Sequence, residues 1–158
     1  MITRPPRVRA RTRFGICVAA TALTIVSVAM APSAAADAND SLRAAVAAAR
    51  PSSCPALRSV PVVDEAAREI NLTTDSYINQ TARTVPETDA VPVLKDLGYP
   101  ANKAYILSGS AHGAGNSIKA TLLQGFNKLP DCSYTDFGVD TMYNAKKDVV
   151  LVTVVLAG

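Results

Sequence analysis

The end of the chain carries its strongest structural constraint. From Val149 to Leu156 the residues are Val-Val-Leu-Val-Thr-Val-Val-Leu, an almost unbroken β-branched and apolar run. Branching at Cβ favours extended backbone, and a strand without polar alternation has to be covered on both faces. Upstream, Tyr134 to Tyr143 alternates Phe137, Val139, Thr141 and Tyr143 against Asp136, Gly138, Asp140 and Met142, and Asn144-Ala145-Lys146-Lys147-Asp148 supplies turn chemistry between the two runs. The pair predicts a β-hairpin with its second strand buried on both sides. That condition selects an α/β/α sandwich, built on a small, mostly antiparallel sheet, over an exposed antiparallel sheet.

Helices are expected to supply the cover. Asp40 to Arg50 opens on an N-cap candidate, is rich in alanine and stops before Pro51. Asp64 is a candidate cap for a second helix reaching Thr81, in which Ala67, Ile70, Thr74, Tyr77, Ile78 and Thr81 recur at three- and four-residue steps while Leu72 falls off the stripe. Thr88 to Leu97 reads as a third helix with Val91, Leu94 and Leu97 inward, Pro92 tolerated in its first turn and Gly98 as its stop. A short strand is expected over Lys103 to Ser108, followed by a small-residue loop from Gly109 to Gly115. Asn116 or Ser117 then caps a fourth helix carrying Ile118, Leu122, Phe126 and Leu129 on one face, with Leu123 beside them, until Pro130.

The other end of the chain addresses it. Arg4, Arg7, Arg9, Arg11 and Arg13 precede an apolar run from about Phe14 to Ala31, and Ala34-Ala35-Ala36 follows. This order is that of a secretory signal peptide over residues 1–36, with Ala34 and Ala36 at the −3 and −1 positions and cleavage between Ala36 and Asp37. An uncleaved anchor is the alternative, because the run approaches the roughly 20 residues that span a bilayer. Cys17 lies inside the run, not at its end, which disfavours a lipoprotein attachment site.

Removing the leader reverses the charge. Five of the 16 basic residues leave with it, so residues 37–158 keep 11 against 13 acids, a formal net of −2. The remaining Lys and Arg are scattered among acids along the sequence, which gives no nucleic-acid footprint and no polybasic membrane segment. No further run is long enough to span a membrane. Of three cysteines, Cys17 also leaves, and Cys54 and Cys132 then have one intramolecular pairing open to them in an oxidising compartment. Closing that loop is worth about 4.5 kcal/mol in the chain-entropy model. Two free thiols or a mixed disulfide are the alternatives. Two cysteines and a single His, His112, make at most three metal ligands with no recognisable spacing.

The order of parts resembles a known family. A secreted chain, an Ala-Ala-Ala-Arg helix, a second helix after Cys54-Pro55-Ala56-Leu57-Arg58, a Leu97-Gly98-Tyr99 turn, a helix ending near Leu129, and Tyr134-Thr135-Asp136-Phe137-Gly138-Val139-Asp140 leading to a terminal strand are all present. Together they resemble a reduced bacterial member of the CAP superfamily, the cysteine-rich secretory, antigen 5 and pathogenesis-related proteins. The resemblance spans roughly Ser41 to Gly158, and its residue-level match is confined to the Gly138-Val139 strand. Members with an intact central cleft carry two His and two acidic residues able to hold a metal. Here Tyr77 to Val85 and Ser117 to Pro130 contain no His, and the family's usual Trp is missing. No functional residue of the family, and no cofactor, carries over.

The remaining chemistry is weak. His112 with Ser108 and Ser110 beside it, and Asp131 or Asp136 as orienting acid, compose an imaginable acyl-transfer set. The stretch Gly109-Ser110-Ala111-His112-Gly113 nevertheless puts Ser second, whereas a nucleophile elbow needs it third. Gly113 to Ile118 satisfies neither phosphate-binding glycine pattern. Asp64-Glu65 and Glu87-Asp89 read as helix-start charges before they read as a glycosidase pair. Tyr77, Tyr99, Tyr105, Tyr134 and Tyr143 either fill the core and its edges or line an apolar groove between helices and sheet. The expected protein is thus a secreted or envelope-located, non-enzymatic CAP-like module, residues 37–158, binding a protein partner or a lipid-like apolar molecule. It is expected to use no cofactor, bind no nucleic acid and keep no membrane span after cleavage. A small serine hydrolase using Ser110 and His112, or a structural envelope protein, is the alternative.

Overall fold

A computed structural model describes residues 34–158. These belong to one compact unit that begins at Pro32. The leader arginines, the apolar run and Cys17 lie outside the described residues. Among the described residues the elements are α1 (Ala34–Ala49), β1 (Arg58–Ser59), α2 (Pro61–Ile78), α3 (Ala90–Asp96), β2 (Ala104–Ala111), α4 (Ala114–Gln124), β3 (Asp136–Asn144) and β4 (Val149–Ala157).

The four strands form one sheet in the order β1-β3-β4-β2. The hairpin β3–β4 is antiparallel, with Val139 opposite Val154, and β2 joins the far side of β4 antiparallel, with Leu107 opposite the same Val154. The two-residue β1 lies parallel to β3. Central placement of β4 explains its composition. Val152, Val154 and Leu156 point into a core shared with Leu42 and Val46 of α1 and Ile118 and Leu122 of α4. Val155 and Ala157 point the other way, against Val63, Ala66, Ala67 and Ile70 of α2 and Leu94 of α3. Each of these β4 side chains is buried to 1% exposure or less, worth roughly 1.5–3 kcal/mol for a fully buried valine or leucine. The architecture is the α/β/α sandwich expected from the hairpin, mostly antiparallel and closed at one edge by a parallel stub.

Element boundaries depart from expectation in four places. Helix α1 starts at Ala34, not Asp40, because the alanines before Asp37 continue the helix; the Ala36–Asp37 boundary falls in its first turn, well before the packed Leu42 and Val46. Helix α2 starts at Pro61, whose missing N–H costs nothing at that position, so Asp64 is an interior residue and no cap. Its inward face is Val63, Ala66, Ala67, Ile70 and Asn71, and Tyr77 is exposed. Strand β2 runs on through Gly109, Ser110 and Ala111, which sequence reading placed in a loop, because all three pair with β4. Helix α4 is capped by Gly113, at φ +80°, and not by Asn116 or Ser117.

The small residues of β2 and α4 have a common reason. A Cβ on Gly109 would lie 2.4 Å from Thr121 Oγ1 and 2.8 Å from the Ser117 carbonyl oxygen. Strand and helix therefore meet almost backbone to backbone, with Ser117 and Thr121 fully buried at the contact. Both hydroxyls are satisfied there: Ser117 Oγ donates to the Val150 carbonyl at 2.8 Å, and Thr121 Oγ1 to the Ser117 carbonyl at 2.9 Å. Phe126 and Leu123, expected on the inward face, are 74% and 66% exposed.

Two long-range ties fasten the N-terminal elements. Cys54 and Cys132 form the disulfide, joining the α1–β1 link to the segment before β3 across 78 residues. Arg50, at the end of α1, donates to the carbonyl oxygens of Leu129, Asp131 and Tyr134 at 2.6, 3.0 and 2.8 Å.

Candidate functional site

Helix α2 packs over β3 and β4 and leaves the α2-side face of β2 open beyond α3. Alternation along β2 puts Ile106, Ser108 and Ser110 on that face, and α3 covers only the Ile106 end. The uncovered part is a groove. Its inner recess, about 140 Å³, lies between Asn71 and Thr74 of α2, Ser108 and Ser110 of β2, and Leu151 of β4. Past Ser110 it widens into an open trough of about 610 Å³ flanked by Tyr77, Ile78, Lys147 and Val149.

Buried polar groups form the inner wall. Asn71, 1% exposed, donates from Nδ2 to Asp140 Oδ2 at 2.7 Å and accepts from the Thr153 hydroxyl at 3.0 Å. Burial pushes the Asp140 carboxyl above its ordinary range, with the Asn71 hydrogen bond and the Arg68 charge opposing. One turn on, Asp75 accepts from Asn144 Nδ2 at 2.6 Å and from Asn79 Nδ2 at 3.1 Å. The groove thus offers fixed amides, free hydroxyls and apolar side chains. Hydroxyls of this kind bind and orient a ligand; activating one as a nucleophile requires a base in reach.

The expected acyl-transfer set is not assembled. Ser110 and His112 share no hydrogen bond among the described residues, and His112 Nδ1 instead faces Asp148 Oδ2 at 3.5 Å, with both side chains about three-quarters exposed. Asp136 pairs with Ala157 across the sheet while Ser110 pairs with Leu151, six residues or about 20 Å along β4. Asp131 is at that far end too, held by Lys103 at 2.9 Å and by Ser133. Neither expected orienting acid reaches His112.

Asp136 has a structural partner set of its own. Its side chain, 3% exposed, accepts from Arg58 Nε at 2.7 Å and from the Tyr99 hydroxyl. Burial raises the Asp136 carboxyl, and the Arg58 and Tyr99 hydrogen bonds outweigh it and hold the group below its ordinary value. Burial and that same carboxylate push the Tyr99 phenol up to about 12.

Three of the four carboxylates in the expected pairs are occupied. Asp64 accepts from both Arg43 guanidinium nitrogens at 2.9 Å and from the Val139 amide at 2.8 Å, Glu65 pairs with Arg68, and Asp89 caps α3 through the Val91 amide. No cluster of three His, Cys, Asp or Glu able to hold a metal occurs among the described residues. Of the five tyrosines only Tyr77 lines the groove; Tyr134 and Tyr105 pack in the core. Of the groove residues, Asn71 and Thr74 are not singled out as site residues by the sequence, and Ser108 is singled out only beside His112. Asn71 has a signal, being a polar residue directly after Ile70 of the apolar stripe of α2.

No helix of the described residues is long and apolar enough to cross a membrane. The chain matches no protein-family model and no curated protein. Among solved structures it is similar to an outer surface protein from Borrelia burgdorferi, 13% identical with a TM-score of 0.58 over 77% of this chain and 92% of that one. At that identity the likeness is one of fold.

Proposed function

We propose that the protein is a secreted or envelope-located CAP-like module that works by binding, without catalysis, and that the groove between α2 and β2 takes a lipid-like molecule with one polar end. The observation that carries this reading is the uncovered face of β2, where Ser108 and Ser110 stand beside apolar Leu151 and a polar wall whose Asn71 and Thr153 already satisfy each other. A ligand entering there buries apolar surface and meets hydroxyls at one end, the usual composition of a small-molecule site. Export is supported by the leader, the disulfide and the fold shared with an outer surface protein. Membership of the CAP superfamily is supported by the order of parts and by the helix-covered sheet that closes on a terminal hairpin.

Protein purified from its own host is extracted with organic solvent and analysed by mass spectrometry, beside a Ser110→Trp variant whose indole fills the recess. The native protein releases a lipid-like molecule in stoichiometric amount, and the variant, equally folded, does not. An empty native extract, equal release from both proteins, or stoichiometric labelling of Ser110 by an active-site serine probe overturns the reading.

A further inference from the structure

Helix α4 is amphipathic in the unexpected sense. Its buried row is Ser117, Thr121 and the following Gly125, while Lys119, Leu123 and Phe126 follow one another at steps of four and three on the outside. Ile118 and Leu122 give the helix its contact with the core and Ser117 and Thr121 its close approach to β2, so the exposed Leu123 and Phe126 add nothing to folding in water. The segment itself carries no acid. From Ala114 to Pro130 the only charges are Lys119 and Lys128, and Lys128 Nζ sits 4.6 Å over the Tyr105 ring at the rim. Asp131, next in sequence, is neutralised by Lys103. The neighbouring end of α1 adds exposed Ala47, Ala48 and Ala49, and its Arg50 holds that end to the turn after α4.

The opposite layer has the opposite charge. From Pro61 to Gly98, the segment holding α2 and α3, seven acids stand against three bases. Two of the six lysines, Lys119 and Lys128, thus lie on an apolar-tipped face opposite this acidic segment.

We infer that the outer face of α4 and the turn after it dock the protein on an anionic lipid surface, with Leu123 and Phe126 entering the interface and Lys119 and Lys128 meeting the headgroups. Charge selects this occupant. A two-fold contact with a second copy would bring the lysines of both copies together, whereas an anionic bilayer attracts the face and repels the acidic back, fixing orientation. Two apolar side chains and two lysines give reversible, peripheral attachment, not insertion.

Flotation of the exported protein with equimolar phosphatidylcholine and phosphatidylglycerol vesicles tests this. Binding is expected to the mixed vesicles and not to phosphatidylcholine alone, and to weaken as salt is raised. Lys119→Gln with Lys128→Gln lowers it about thirtyfold, at about fivefold per lysine. Leu123→Ser with Phe126→Ser, both at exposed positions, abolishes it without changing thermal stability. Lys95→Gln with Lys146→Gln removes the same charge away from this face, at exposed positions, and leaves binding unchanged. Equal binding to both vesicle types, an equal effect of the two lysine pairs, or no binding at low salt overturns the inference. So does vesicle-free self-association that the Leu123→Ser, Phe126→Ser pair abolishes.

Discussion

Gly138 is where the sandwich is least forgiving. A Cβ placed there lies 2.1 to 2.3 Å from Val63 C, Val63 O and Asp64 N, the backbone of the first turn of α2. Ordinary contact needs about 3.4 Å or more, and backbone cannot swing aside as a side chain does. In Gly138→Ala the helix start must retreat by more than an ångström. The Asp64 Oδ1 to Val139 N hydrogen bond, 2.8 Å in the native protein, then stretches beyond bonding distance, at a cost of about 1.5–3 kcal/mol for a bond to a charged acceptor. Val63, Ala66 and Ala67, fully buried against the sheet, lose contact as well, adding about 1–3 kcal/mol of the kind that overpacking exacts. The expected loss is about 2.5–6 kcal/mol, a large part of the 5–15 kcal/mol available to a domain of this size. Urea unfolding followed by far-UV circular dichroism measures it, with His112→Ala as the control, expected within about 0.5 kcal/mol of native. A loss below about 1 kcal/mol for Gly138→Ala would show that α2 does not rest on β3 as described, and would remove the support for the groove.

Reduction of Cys54–Cys132 releases a 78-residue constraint, expected to cost about 4.5 kcal/mol and to lower the melting temperature by about 10 °C or more; intact mass of the oxidised exported protein should match a chain starting at Asp37 and lacking two protons. An unchanged melting temperature would contradict the stapling role. The raised Asp140 carboxyl has a definite sign: a folded-state pKa above the unfolded one gives stability that is full below the unfolded value, near 3.9, and is lost as pH rises through the folded value. Asp140→Asn does not titrate, so it should match the native protein at acid pH and exceed it at pH 7, with the gap opening above about pH 4. A gap independent of pH would mean that Asp140 does not ionise in this range.

Those elements whose signal is carried by local pattern were legible in the sequence. The hairpin, its turn, the burial of β4 on both faces, the stop at Gly98 and the covered-sheet class all follow from β-branching, alternation and turn residues, and the cysteine pairing follows from there being one partner each. What escaped was set by tertiary distance. Gly109, Ser110 and Ala111 look like a loop because they have no apolar pattern; they are a strand because β4 offers them a full ladder. Ser117 and Thr121 look like cap and surface residues, yet they are fully buried because only small side chains let α4 approach Gly109. Exposure of Leu123 and Phe126 follows from the same exchange. Helical periodicity ranks faces by hydrophobicity and has no means of anticipating a helix that buries its hydroxyls.

The groove depends on where α2 lies across the sheet, and polar ties set that position. Asp64, Asn71, Asp75 and Asn79 recur at steps of seven, four and four on one side of the helix. The first three reach, in order, the Val139 amide, Asp140 and Asn144, while the Asn79 carbonyl accepts from Lys146. From Asp64 to Asp75 eleven helical residues rise about 16.5 Å. Five strand residues from Val139 to Asn144 extend about 17 Å. The two spacings stay in step, so helix and strand run side by side, and the ties are made with β3 or the turn beyond it, apart from the bonds of Asn71 with the Thr153 hydroxyl and the Leu151 carbonyl of β4. A purely apolar helix face would have no such ties to β3 and could shift toward the β2 edge and cover Ser108 and Ser110. Holding α2 to β3 by hydrogen bonds that fail on a sideways shift leaves the β2 face uncovered, and the same residues that fix the helix then stand as the polar wall of the groove they create.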